Sequence, residues 1–178
     1  MPRKRKTFWI TGLDFFEIRQ NFDPKIIDEL MEVFKVDFLP IQLKEYLLKL
    51  ESIDTTDPVF YCPDVKIQDC RIELDKTMLI NPNYDVFWCP FYNHREIFLK
   101  TKESDGIYIG KKVMPICESV PCGDVVISLN NDDTFGKLYY VTDIYEFSVS
   151  EAFLFANCLF DFITALRQVP FRLTDDNS

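Results

Sequence analysis

The chain has a single histidine, His94, standing five residues after Cys89. A thiol beside an imidazole is the pairing that nucleophilic catalysis uses, because the ring takes the thiol proton and leaves a thiolate. That chemistry needs the two side chains in contact in the fold, which spacing alone does not supply. A packing or surface role for both is the competing reading. The cysteines fall at 62, 70, 89, 117, 122 and 158, and Cys117-x4-Cys122 is the closest pair. A structural zinc site draws on four ligands, and no second pair stands at a comparable spacing. P-loop, G-x-G-x-x-G and G-x-S-x-G patterns are all absent. Carboxylates abound, but no sequence rule pairs two of them across a cleft as acid and base. The expectation is a protein that is not an enzyme, with no catalytic residue, no metal ligand and no cofactor.

The residues suited to binding are denser. Asp132 and Asp133 fall in a polar loop, Asp124 precedes the strand before it, and Asp143 and Glu146 follow the strand after it. Tyr139, Tyr140 and Tyr145 are interleaved with them, and aromatic side chains are where interface energy concentrates. Taken singly, each aspartate reads equally as a turn former or a solvated charge. As a cluster, Asp124, Asp132, Asp133, Tyr139, Asp143, Tyr145 and Glu146 are the candidate partner-binding set.

The elements that must position this set are legible as patterns. Val125, Ile127 and Leu129 share one face of a strand and Val126, Ser128 and Asn130 the other, and Leu138 and Tyr140 alternate with Lys137, Tyr139 and Val141. Two such period-two runs around the loop Asn130–Gly136 predict an antiparallel hairpin. Asp23-Pro24 opens a helix, with an acceptor for first-turn N–H groups and a Pro that loses no bond there. Ile27, Leu30, Met31 and Phe34 then form one apolar stripe. Leu39-Pro40 opens a second helix, with Leu43, Tyr46, Leu47 and Leu50 at the same spacing and an end near Ser52. Segments 59–62, 70–74, 84–89, 96–100 and 107–109 are strand candidates, with Asp105-Gly106 closing a hairpin between the last two. Segment 152–156 reads as a buried strand. Leu159, Phe162, Ile163 and Leu166 predict a final helix from Cys158 to about Gln168, ahead of Pro170.

Composition sets the frame. At 178 residues the chain is read as one domain over 1–178, large enough for its own core, with solvated tails at 1–6 and 172–178. No apolar run reaches the ~18–20 residues that cross a bilayer, and no signal-peptide core follows the basic start, so a cytoplasmic protein with reduced thiols is expected. The formal charge is −9 and Met1–Lys6 contributes +4, which leaves −13 on the other 172 residues. Such a body repels nucleic acid and anionic membrane and suits a basic protein partner; it also serves solubility alone.

Two sets of residues carry a family likeness. One is a helix, a short link, Leu39-Pro40 and a helix through Tyr46 and Leu47. The other is Met114-Pro-Ile116, Gly123-Asp124 and a strand, Gly136-Lys-Leu-Tyr-Tyr140, then Ala156-Asn-Cys-Leu-Phe-Asp-Phe-Ile163. In order and spacing these resemble the SUKH superfamily over roughly residues 22–168. Three features depart from that pattern: Leu50-Glu51-Ser52 replaces the usual Asn-Gly, Cys158 replaces the Ser that opens the last helix, and 51–105 matches loosely. With Cys158 a poor cap, Asn157 is the expected substitute. The resemblance implies an α+β domain, a largely antiparallel β-sheet flanked by two N-terminal helices and one C-terminal helix. It also implies binding without chemistry: an immunity protein neutralising a cognate toxin, often one that acts on nucleic acid. The alternative is an intracellular adaptor of the eukaryotic or viral type, for which Met1–Lys6 would be a nuclear address.

Overall fold

A computed structural model of the chain describes residues 16–18, 23–52, 59–62, 85–88, 91–103, 105–118 and 123–166. The expected strand at 70–74, Cys70, Cys89, Cys122 and both tails lie outside these residues. In chain order the elements are β1 (Phe16–Ile18), α1 (Lys25–Phe34), α2 (Ile41–Lys49), β2 (Leu50–Ser52), β3 (Val59–Cys62) and β4 (Asp85–Trp88). They continue with α3 (His94–Glu103), α4 (Ile107–Lys111), β5 (Val113–Glu118), β6 (Asp124–Ser128), β7 (Leu138–Val141), β8 (Phe153–Ala156) and α5 (Leu159–Ala165). The architecture is α+β. β1 pairs with β2, β3 pairs with β4, and β5-β6-β7-β8 form a four-stranded antiparallel meander.

The meander carries the core. Every residue of β6 and β7 is buried, so both faces of the central hairpin are covered, and the pattern does not alternate core with solvent. Register runs from Asp124 opposite Val141 to Ile127 opposite Leu138. β5 lies at the outer side of this sheet and contains Pro115, which costs no ladder bond where its nitrogen faces away from the partner strand. A bulge follows between Pro115 and Cys117, and that outer side is covered by Phe91 bridging Cys117 and the Tyr92 N–H donating to the Ile116 carbonyl (2.9 Å).

The helices bury the stripes that the periodicity marks. In α1 these are Ile27, Leu30 and Phe34, with Ile26 beside them; in α2, Leu43, Tyr46 and Leu47; in α5, Leu159, Phe162 and Ile163, with Leu166 just beyond. Burying one such side chain contributes roughly 1.5–3 kcal/mol. α3 and α4 pack on β5, and α5 packs on β8 and α2. Aromatic rings join the layers: Phe91 lies 5.0 Å from Phe16 and 6.1 Å from Phe162, and Phe155 stacks between Tyr140 and Phe162.

Four expectations are corrected. Residues 96–100 are not a strand but the middle of α3, which a capping box starts: Glu96 N–H donates to Asn93 Oδ1 and Asn93 N–H to Glu96 Oε2, both at 2.9 Å. Residues 107–109 belong to α4. Asp105 and Gly106 do take the two positive φ values (52° and 74°) that a tight hairpin turn requires, but they join two helices. The second helix stops at Lys49, and Leu50–Ser52 turns into β2 rather than completing the helix. β8 is formed as expected at 153–156 but is not buried, because it is an outer strand with Phe153 and Leu154 exposed.

Candidate functional site

The loop after β6 is built from its own polar side chains. Asp132 Oδ1 accepts from the Thr134 N–H (2.8 Å) and the Thr134 hydroxyl (2.5 Å), and the Ser128 and Thr134 hydroxyls lie 2.8 Å apart. Asn130 Nδ2 donates to Ser128 Oγ and to the Lys111 and Lys112 carbonyls, so it closes the C-terminal end of α4 while holding the loop. The Gly136 N–H donates to the Ser128 carbonyl, and Gly136, at φ +78°, ends the loop against the Pro40 ring. The bonds from Thr134 hold the Asp132 carboxyl below its usual range, so it stays ionised.

A second turn faces this loop. Asp143 Oδ1 accepts from the Tyr145 N–H at 2.8 Å, which sets the turn geometry. Lys111 Nζ reaches across from α4 to the Tyr145 carbonyl (3.1 Å) and to the Phe147 carbonyl, fixing the turn's position. The Phe147 ring packs edge-on to Tyr139. Between loop and turn lies an open groove of about 710 Å³, lined among others by Lys111, Asp132, Asp133, Lys137, Tyr139 and Ser148. Burial, with the Asp133 and Asp132 carboxylates next, raises the Tyr139 hydroxyl above its ordinary value.

Five of the seven expected binding residues therefore fall on these two loops, and Tyr139 lies in β7 between them. Asp132, Asp133 and Tyr139 line the groove. Asp143, Tyr145 and Glu146 form the neighbouring turn and are exposed, Tyr145 to 62%. Tyr139 itself is largely buried and offers the groove little more than an edge.

Asp124, named in the same partner-binding set, is the exception, since it is buried. It is 7% exposed; its two oxygens accept from Tyr92 (2.7 Å) and Tyr108 (2.8 Å), and Lys100 Nζ stands 3.3 Å away. This carboxylate joins β6 to α3, to α4 and to the segment before α3, a structural task. Burial of the two tyrosines themselves, with the hydrogen bonds to this carboxylate and its charge next, pushes both hydroxyls far above their ordinary value. Sequence reasoning missed these partners because they lie 16 to 32 residues away along the chain. It also missed Lys111 and the 147–150 wall of the groove.

His94 begins α3, with Nδ1 buried and without a hydrogen-bond partner. Cys117 is a buried thiol in β5, and Cys158 is a half-buried thiol ahead of α5. Among the described residues, no group of three His, Cys, Asp or Glu side chains is placed to hold a metal ion, and no helix is long and apolar enough to cross a membrane.

Fold and site together define an α+β protein with an acidic, internally hydrogen-bonded pair of loops beside its central hairpin. In comparisons with protein-family models, with curated proteins and with solved structures, nothing matches the chain.

Proposed function

We propose that the chain is a cytoplasmic, non-catalytic binding protein of the SUKH type, an immunity protein that neutralises a basic toxin acting on nucleic acid. The observation that carries this reading is the charge on the two loops. From Asn130 to Glu151 the acidic residues are Asp132, Asp133, Asp143, Glu146 and Glu151, against Lys137 within the segment and Lys111, whose ammonium sits on the second turn. A toxin that acts on nucleic acid binds phosphate through a basic groove. A negative surface blocks such a groove, and complementary fields speed the encounter.

The loops are also held before any partner arrives. Asp132, Asn130, Asp143 and Lys111 each fix backbone groups, so less ordering entropy is lost on association. The SUKH assignment is supported by placement: Pro40 caps α2, Met114–Ile116 lie in β5, Gly123-Asp124 open β6, and 156–163 run from β8 into α5. The binding needs no cofactor and no direct contact with nucleic acid or membrane.

Co-expression with the toxin encoded beside it tests the reading. The chain should restore growth, and Asp133→Lys with Glu146→Lys should abolish the rescue while leaving the fold intact by circular dichroism. Absence of rescue by the unaltered chain sinks the proposal. Deleting Met1–Lys6 should leave rescue unchanged; a deletion that instead displaces the protein from a nucleus favours the adaptor role.

A further inference from the structure

On the other side of the hairpin loop lies a surface that the charge argument does not use. Ile41, the first residue of α2, is 76% exposed, and Phe38, three residues before it, is 44% exposed. These are large apolar side chains in a link where solvent would favour polar ones. Phe38 stands edge-on to Phe135, with ring centroids 5.2 Å apart. Phe135 belongs to the same turn as Asp132 and Asp133, and its N–H donates to the Asp132 carbonyl at 3.2 Å. Gly136 brings the end of that turn to the Pro40 ring, since a Cβ placed there would stand 3.5 Å from it. Phe38 and Phe135, from distant parts of the chain, therefore share one apolar surface over buried Pro40, and exposed Ile41 follows Pro40 directly.

The rim of this patch has a direction. Asp37 precedes Phe38 and is exposed, and exposed Asp132 and Asp133 precede Phe135. Along α2, Lys44 and Glu45 follow Ile41 at i+3 and i+4, so the helix side is mixed in charge, and Glu45 is further paired with Lys49. The loop side, with Asp132 and Asp133 against Lys137, is the more acidic one. Contiguous exposed apolar groups rimmed by polar ones mark docking surfaces, and truncation of a central anchor weakens binding most.

We infer that the Phe38–Ile41–Phe135 patch is the apolar anchor of the partner interface, and that its occupant is a basic amphipathic segment of the partner. One large aliphatic or aromatic side chain of that segment sits on Ile41 and Phe38, and its Lys or Arg residues face Asp37, Asp132 and Asp133. This rests on the binding reading above and adds the chemistry of the segment that binds.

The test uses the full chain and a short fluorescent amphipathic helix of Leu and Lys, with its Leu/Glu counterpart as control. Anisotropy should show saturable binding of the Leu/Lys peptide only. Ile41→Ser should weaken that binding by about 10-fold, the loss expected for one exposed aliphatic anchor. Leu99→Ser, which removes an exposed leucine of α3, should leave it unchanged. Equal binding of the Leu/Glu peptide, or an Ile41→Ser variant that binds as the unaltered chain does, overturns the inference. So does sedimentation showing a dimer that Ile41→Ser dissociates, since the occupant would then be a second copy. A patch that passes while toxin rescue fails would leave the anchor standing and remove only the immunity role.

Discussion

At the scale of single residues, Gly123 and Gly106 separate two reasons for a glycine. Both have positive φ, but a Cβ at Gly123 would stand 2.0 Å from the Val141 carbonyl oxygen, whereas one at Gly106 would meet nothing within 4 Å. Gly123→Ala should therefore cost at least about 3 kcal/mol and Gly106→Ala about 1 kcal/mol, read from urea midpoints. Similar losses at the two sites would mean that the clash relaxes. The Asp124 cluster gives a second expectation. Tyr92 and Tyr108 are raised in the folded state by burial and by the carboxylate they donate to, while an unfolded tyrosine ionises near 10. Below that pH both states keep the protons and the stabilisation is complete. Above it the unfolded chain releases protons that the folded chain retains, so stability falls as pH rises. Tyrosinate absorbance should then appear for these residues together with loss of the fold, and the double variant Tyr92→Phe/Tyr108→Phe should show a shallower alkaline decline. An unchanged slope would assign the alkaline limit to other groups. None of this was legible in the sequence, where Asp124 looks like one more loop carboxylate. Its role depends on partners brought from α3, α4 and the segment between β4 and α3.

At the scale of elements, α5 starts without a cap of its own. Cys158 holds the N-cap position and makes no side-chain capping bond, and Asn157, the expected substitute, is exposed. The donor is satisfied from elsewhere: Gln42 Oε1, on α2, accepts from the Phe160 N–H at 2.9 Å. Gln42→Ala should cost about 1 kcal/mol, in the range of a lost N-cap, and Gln42→Glu should keep the bond. If thermal unfolding shows Gln42→Ala to be neutral, water replaces the side chain. The helices with long apolar stripes and the central hairpin were readable because their periodicities are unmixed. α3 was not, since its stripe is short and includes buried Thr101, whose hydroxyl is satisfied by the Ile97 carbonyl at 2.7 Å. The signal that identifies it is the capping box, Asn93 to Glu96, and not the hydropathy. For α4, five residues are too few for a helical period to emerge. The exposure of β8 depends on strand order, which local sequence does not encode.

At the scale of the molecule, charge is the property that sequence reports most directly, and its placement is the part that needs the fold. The formal charge of −9 belongs to the whole chain; under the proposed binding role, the two tethered loops are where a basic partner is met. Replacing Asp132, Asp133 and Asp143 by Asn and Glu146 by Gln removes four charges, giving −5, from −9 plus 4. Asn keeps an Oδ1 that can accept the Thr134 and Tyr145 bonds, so the turns are retained. Against the basic toxin domain that the proposed function calls for, the association rate should fall roughly 10-fold at low ionic strength, with a much smaller change in dissociation. In about 1 M salt, where fields are screened beyond about 3 Å, the two proteins should associate alike. A control with the same charge change on exposed helix positions, Asp28→Asn, Glu29→Gln, Glu32→Gln and Glu103→Gln, separates location from total charge. Steering by the loops requires the control to lose much less than the loop variant. If the two lose equally, the acidic body attracts as a whole, and the loops carry no privileged part of the encounter.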